Sequence, residues 1–202
     1  MSDIAGALRA WGRPASAQQL GLLNRFGTWL AEEAVPAGGV ADGDLDRIGD
    51  RHLLDSLAFL QGLEGIPADL LDVGSGVGLP GIPLAVMLPE TSVTLLDRSA
   101  RRVRLARRAV RVLGLDNVVV EQGEAGRRAI TALTMRALMD PAAACRMVEK
   151  AFPVTRAVVA LTRGGAAPQL ELPTMNTHTL SVRDGGAGIL DPAPWLLIMA
   201  PS

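Results

Sequence analysis

The sequence predicts an α/β fold: a doubly wound, Rossmann-like sheet carrying an N-terminal helical extension. Three observations predict it. The apolar run Leu70-Leu71-Asp72-Val73 passes directly into Gly74-Ser75-Gly76-Val77-Gly78, the junction of a buried strand with a tight turn. A second run, Val93-Thr94-Leu95-Leu96, ends on Asp97, 23 residues beyond Gly74. Beyond Ala68, strand-length apolar runs alternate with stretches of helical periodicity, the pattern of a parallel sheet with helices on both faces.

Residues 1–65 read as a helical cover and residues 66–202 as the Rossmann-like domain, together one structural unit. Leu8 and Trp11 share a face of a first helix, which Gly12-Arg13-Pro14 breaks. Ser16 is the expected cap of the next helix. Its apolar positions Leu20, Leu23, Phe26, Leu30 and Ala34 recur at helical spacing until Pro36-Ala37-Gly38-Gly39. Asp42 is placed to cap a short helix carrying Leu45 and Ile48. Leu53, Leu57 and Leu60 then share a face of another, where Arg51 and Asp55, four apart, are placed to pair. Strands are expected near 69–73, 93–97, 117–121, 130–135, 157–161, 178–183 and 195–200, and helices near 80–88, 100–113 and 141–151. The last two strands are separated by the turn Asp184-Gly185-Gly186 and an irregular stretch with Pro192 and Pro194.

At 202 residues and 49% hydrophobic content, the chain suits one α/β domain with a small extension. A net charge of −1 supplies no global pull toward nucleic acid. Of 20 basic residues all but Lys150 are Arg, and Tyr is absent. That bias matches a GC-rich coding sequence, so the positions of the arginines are informative and their number is not. The single cysteine, Cys145, excludes an internal disulfide and a thiolate metal cluster, and a reducing cytoplasm is the expected compartment. Met1-Ser2-Asp3 shows no basic stretch leading into an apolar core, so no signal peptide is expected. No apolar run is long enough to span a bilayer. No membrane partner is expected, and the protein is expected to be a monomer.

Gly76-x-Gly78-x-x-Gly81 formally matches the dinucleotide fingerprint, a weak match when alone. Charge favours another ligand. Asp72, just before the loop, would repel a pyrophosphate. S-adenosylmethionine carries a sulfonium and an α-ammonium, which an acid favours. Asp97 sits near the spacing at which an acid meets ribose hydroxyls in such units. The sheet is therefore expected to be that of a class I S-adenosylmethionine-dependent methyltransferase, with Asp72, Gly74, Gly76, Gly78 and Asp97 around the donor. The loop Glu121-Gln122-Gly123-Glu124-Ala125-Gly126 follows the third strand, where its backbone could read an adenine edge. The competing reading is a structural turn that binds nothing.

In the helix after Asp97, Val103, Ala106, Val110 and Leu113 form an apolar stripe. Arg101, Arg104, Arg108 and Arg111 fall on the opposite face. Such a row can follow a phosphate backbone, or it can be a solvated helix face. Arg136, at the end of the fourth strand, would project toward methyl donor or acceptor; a surface salt bridge is the bland alternative.

Methyl transfer from a sulfonium needs alignment more than functional groups, so the acceptor sets the remaining machinery. Carbon-5 methylation of a pyrimidine requires a cysteine nucleophile, and Cys145 falls within a predicted helix. Exocyclic amines are usually served by an Asn/Asp-Pro-Pro-aromatic turn after the fourth strand, and Asp140-Pro141 lacks the second Pro and the aromatic. His52 and His178 are the only histidines and stand in no metal-ligand cluster, so no metal is expected. A ring nitrogen such as guanine N7 offers an in-plane lone pair and needs no base.

Several segments in order resemble one family, the bacterial guanine-N7 methyltransferases of small-subunit (16S) ribosomal RNA, also called glucose-inhibited division protein B. They are Arg51-His52-Leu53-Leu54-Asp55-Ser56, Leu71-Asp72-Val73-Gly74-Ser75-Gly76-Val77-Gly78-Leu79-Pro80-Gly81-Ile82-Pro83-Leu84, Val93–Asp97 with Arg101-Arg102, and Arg136-Ala137. The resemblance implies a donor site of Gly74, Gly76, Gly78, Leu79, Asp97, the Ala125-Gly126 backbone and Arg136, and a substrate of 16S rRNA or the small ribosomal subunit. It also implies that His52 and Asp55 lie near the mouth of the site. The chain departs from the family pattern at Gly123-Glu124-Ala125-Gly126, Met135 and Thr162-Arg163-Gly164. These departures leave two alternatives: a small-molecule methyltransferase, or an inactive paralogue that binds S-adenosylmethionine or RNA.

Overall fold

The structure is a computed structural model that describes residues 3–186, 189–190 and 192–202. Among these residues seven strands form: β1 (Asp69–Val73), β2 (Ser92–Asp97), β3 (Val118–Gln122), β4 (Ala132–Arg136), β5 (Arg156–Arg163), β6 (His178–Asp184) and β7 (Pro194–Pro201). They make one sheet in the order β3-β2-β1-β4-β5-β7-β6. The first five are parallel, and β7 inserts antiparallel between β5 and β6. Every predicted strand is present within a residue or two. Buried parallel strands read as unbroken apolar runs because both faces are covered. β7 keeps its prolines at its first and last positions, where a lost ladder hydrogen bond costs least. Residues 187, 188 and 191 of the expected irregular stretch lie outside the described residues.

Among the described residues six α-helices accompany the sheet: α1 (Ile4–Ala10), α2 (Ala17–Trp29), α3 (Asp55–Ala58), α4 (Gly81–Met87), α5 (Ala100–Leu113) and α6 (Pro141–Ala151). Alternate strand residues divide the core. Leu70, Leu95, Val158 and Leu196 pack with helices α1 to α5, whereas Leu71, Leu96, Val159 and Leu197 pack with α6. The two faces are therefore covered unequally, by five helices and by one. Chain length explains part of this. β3 and β4 lie three strand spacings apart, about 14 Å, and the chain must also return about 16 Å along a strand. The nine residues 123–131 reach about 30 Å extended but only about 13 Å as a helix. That link must be extended, and it carries no helix.

The N-terminal cover forms by local rules. Ser16 Oγ accepts from the Gln19 amide (3.2 Å) and Gln19 Oε1 from the Ser16 amide (2.8 Å), a capping box that opens α2. α2 runs on as a π-helical turn, Leu30–Ala34, so the apolar stripe reaches Ala34 as expected. A 3-10 turn (Asp42–Arg47) and a π-helical turn (Ile48–Leu54) lead into α3. The expected Arg51–Asp55 pair does not form. Arg51 Nε lies 3.4 Å from Asp44, and Asp55 faces Arg163 at 3.2 Å. The wider π spacing takes residues four apart out of alignment.

Candidate functional site

The strand order reverses between β1 and β4, and ligands in such sheets bind beyond the carboxyl ends of the strands at that point. A cleft of about 400 Å³ opens there, lined by Val73 and Gly74 of β1, Leu96 and Asp97 of β2, Gly123 to Ala125 after β3, Leu138 and Met139 after β4, and Arg98, Arg102 and Met147. The glycine loop is built to be bare. The Gly74 and Ser75 amides both donate to the Leu96 carbonyl (2.8 and 3.1 Å), folding the loop back onto β2. Gly74 has φ +73°, and a Cβ on it would lie 2.6 Å from Leu138 Cδ1. The close approach of Leu138 and the left-handed backbone together require glycine here.

The two acids have different environments. Asp97 is 6% exposed and lines the cleft. Its Oδ2 accepts from the Gly76 amide (3.0 Å) and its Oδ1 from the Ser99 amide (2.8 Å). Each oxygen keeps a further acceptor position, a geometry suited to two vicinal hydroxyls. Arg102, well exposed, stands 3.9 Å from Oδ2 in a pair that contributes little. Asp72 is fully buried beneath the loop. Its Oδ2 accepts from the Gly81 amide at the start of α4 (2.8 Å) and its Oδ1 from the Thr134 hydroxyl (3.0 Å). Burial pushes its pKa up to about 7, against the pull of those two donors and of Arg136.

Of the residues singled out from the sequence, the structure brings Gly74, Asp97 and Ala125 into the cleft wall. Gly76 stands behind Asp97 as its amide donor. Gly78 and Leu79 are buried under the loop, Leu79 in the core with the N-terminal helices. Gly126 is exposed outside the lining, because the extended β3–β4 link leaves the cleft after Ala125. Asp72 braces the loop from below. The sequence reading missed Leu138, Met139 and Met147, which make the apolar wall; for the first two, a Leu-Met pair one residue past a strand end was the available signal.

Arg136 turns away from this cleft. Alternation along β4 places Met135 on the α6 face, and Arg136 on the other face meets the segment that precedes the sheet. Its Nη2 lies 2.9 Å from His52 Nδ1, and Nη1 donates to Ser56 Oγ (3.2 Å) and the His52 carbonyl (3.4 Å). His52 Nε2 in turn faces Asp44 Oδ2 at 3.3 Å. Burial and the charge of Arg136 drive the His52 pKa down to about 4, so the ring is neutral near pH 7. Burial also lowers the Arg136 pKa, opposed by Asp55 and Asp72.

The arginine row on α5 is solvent-facing but not uniform. Arg108 is held by Glu33 in a two-point ion pair. Arg101, Arg104 and Arg111 are exposed and make no ion pair among the described residues. Arg25 donates to the Val112 and Leu113 carbonyls (3.0 and 3.1 Å), placing a cation at the negative end of the helix.

Comparison with known proteins identifies the family. Residues 19–178 match GidB, rRNA small subunit methyltransferase G. Ribosomal RNA small subunit methyltransferase G of Cellvibrio japonicus is 38% identical over 60% of this chain and 60% of its own length. The proteins of that name from Frankia casuarinae and Neisseria meningitidis are 41% and 51% identical over 50% and 36% of the chain, and 38% and 34% of their own lengths. The chain thus spans 60% or less of these curated relatives. Among solved structures, a SAM dependent methyltransferase from Aquifex aeolicus aligns with TM-score 0.53 at 17% identity over 88% of this chain and 97% of its own. A mutant of MtNAS in complex with S-adenosylmethionine aligns with TM-score 0.55 at 18% identity over 90% and 73%. These two show the shared fold alone, a mixed sheet flanked by helices. With the family match covering most of its length, the chain belongs to the GidB family, rRNA small subunit methyltransferase G.

Proposed function

We propose that this protein is a cytoplasmic, S-adenosylmethionine-dependent methyltransferase acting on guanine N7 of 16S ribosomal RNA. The observation that supports it most is Asp97: a carboxylate at the end of β2 that lines the cleft, held by two backbone amides and keeping a further acceptor position on each oxygen. That arrangement suits a ribose diol. Leu96, Leu138, Met139 and Met147 offer apolar walls for a flat adenine. Asp72 adds negative potential beneath the loop, where a cationic ligand would draw its proton off.

When bound, the sulfonium supplies a methyl group that needs no further activation. The chain's own residues then align and exclude water. Leu138 packs over Gly74 at the cleft wall, and the amides that hold Asp97 fix its carboxylate in the cleft lining. A guanine N7 acceptor gives up no proton, so no base is required.

The RNA is drawn in along α5. Arg98 and Arg102 stand at the cleft edge, and Arg101, Arg104 and Arg111 continue down the helix. These three are free to meet phosphates, each adding salt-dependent affinity; Arg108 is committed to Glu33. The test has two stages. Calorimetry with S-adenosylmethionine and S-adenosylhomocysteine comes first, then transfer of labelled methyl to undermethylated small subunits and to naked 16S rRNA. Absence of donor binding, or donor binding without transfer to either substrate, would overturn the reading.

A further inference from the structure

The groups that an oxidant could attack are unevenly placed in this fold. Thiolate chemistry is closed off, because the single cysteine, Cys145, is buried on α6 and burial pushes its thiol pKa up. That leaves the thioethers. Met135 and Met199 are buried in the sheet, and Met87, Met147 and Met175 are half-buried against the core. Met139 alone among the described methionines is exposed, at 37%, and it lines the cleft beside the glycine loop.

The backbone holds it there from both sides. Ala137, two residues before, takes φ +50°, a left-handed conformation that non-glycine residues adopt sparingly. After that turn Leu138 packs against Gly74. Asp140, directly after Met139, caps α6, its Oδ1 accepting from the Ala143 amide at 3.0 Å. Met139 is thus held between a tight turn and a capped helix start. Met147, two turns further along α6, lines the same cleft but is less exposed.

A thioether so placed has a defined chemistry. Hydrogen peroxide gives one oxygen to the sulfur lone pair and its other oxygen leaves as water, so the thioether is oxidised to a sulfoxide while the peroxide is reduced. The side chain changes from apolar to polar. Covering a polar oxygen with the flat face of a base costs affinity, since a ring face offers no hydrogen bond in return for the lost water.

We propose that Met139 is a reversible sulfoxidation site through which peroxide closes the cleft to the methyl donor. Its effect on the donor rests on the reading of this cleft as the S-adenosylmethionine site; its preferential oxidation does not.

The experiment treats the 202-residue chain with hydrogen peroxide, locates sulfoxide by peptide mass spectrometry and follows S-adenosylmethionine affinity by calorimetry. The expected result is that Met139 is oxidised before Met87 and Met175, and that affinity falls about tenfold, the scale of one polar group buried without a partner. S-adenosylhomocysteine bound beforehand slows oxidation at Met139 and leaves Met87 and Met175, outside the cleft lining, unaffected. Methionine sulfoxide reductases acting on both sulfoxide epimers restore the affinity. Whatever its starting affinity, Met139→Leu shows no fall on treatment, whereas Met147→Leu still does. Oxidation of Met87 or Met175 ahead of Met139, unchanged affinity once Met139 is oxidised, or an equal fall in Met139→Leu overturns the proposal. A chain that bound no donor before treatment would instead refute the methyltransferase reading, and the peptide map would still decide whether Met139 is the oxidation site.

Discussion

Asp72→Asn separates what the buried acid does for the loop from what it does for a ligand. In the native state its pKa rises from 3.8 to about 7. Between those values the folded protein holds a proton that the unfolded chain has released, so raising the pH favours unfolding. About three pH units correspond to a ceiling of about 4 kcal/mol. Relaxation around the buried group brings a realistic figure to about 2 kcal/mol. Asparagine removes the ionisation yet can keep both contacts: its carbonyl accepts from the Gly81 amide, and its amide donates to Thr134 Oγ1. Urea unfolding at pH 5, 6, 7 and 8 should therefore show stability falling up to about pH 7 and levelling off by pH 8 in the unmodified protein, and a much flatter profile in Asp72→Asn. The variant should be more stable by about 2 kcal/mol at pH 8. Calorimetry should show the opposite for function. S-adenosylmethionine affinity falls because the negative potential under the loop is gone, while S-adenosylhomocysteine, which lacks the sulfonium charge, loses less. A variant that is less stable at pH 8 and keeps the original pH slope would refute the reasoning.

Asp97→Ala should lower donor affinity at least tenfold in calorimetry, and unchanged affinity would remove Asp97 from the site. Gly74→Ala should cost about 1–3 kcal/mol in denaturant unfolding from the clash with Leu138, and Leu138→Ala in the same chain should recover part of it. Ala137→Gly should be neutral or stabilising by up to about 1 kcal/mol in thermal unfolding, because the native φ of +50° favours glycine. Replacing Arg101, Arg104 and Arg111 together by Gln should reduce the slope of log affinity for RNA against log salt by about 2. The single change Arg108→Gln should alter it by less.

The sequence by itself determined the strands, the ends of the helices between them and the family; the expected Asp42 cap did not form, Ala41 standing at that position without a side-chain hydrogen bond. Buried parallel strands are written as contiguous apolar runs, and caps such as Ser16, Asp140 and Gly114 act on neighbours within a few residues, so no distant information is needed. The glycine loop and Asp97 were legible for the same reason: the chemistry follows a backbone junction that the local sequence dictates. The tertiary structure decided where the other polar side chains point. Asp72 and Asp97 are both strand-end acids. Only the packing of α4 and β4 seals Asp72 beneath the loop, with Thr134 62 residues away as its partner. Arg136 is turned from the cleft by His52, 84 residues earlier, and Arg108 is withdrawn from the arginine row by Glu33, 75 residues earlier. A periodic pattern shows which face of an element a residue occupies. Which charge it meets there depends on segments brought together only when apolar surface is buried, and those pairings decide which acids and arginines remain available to a ligand.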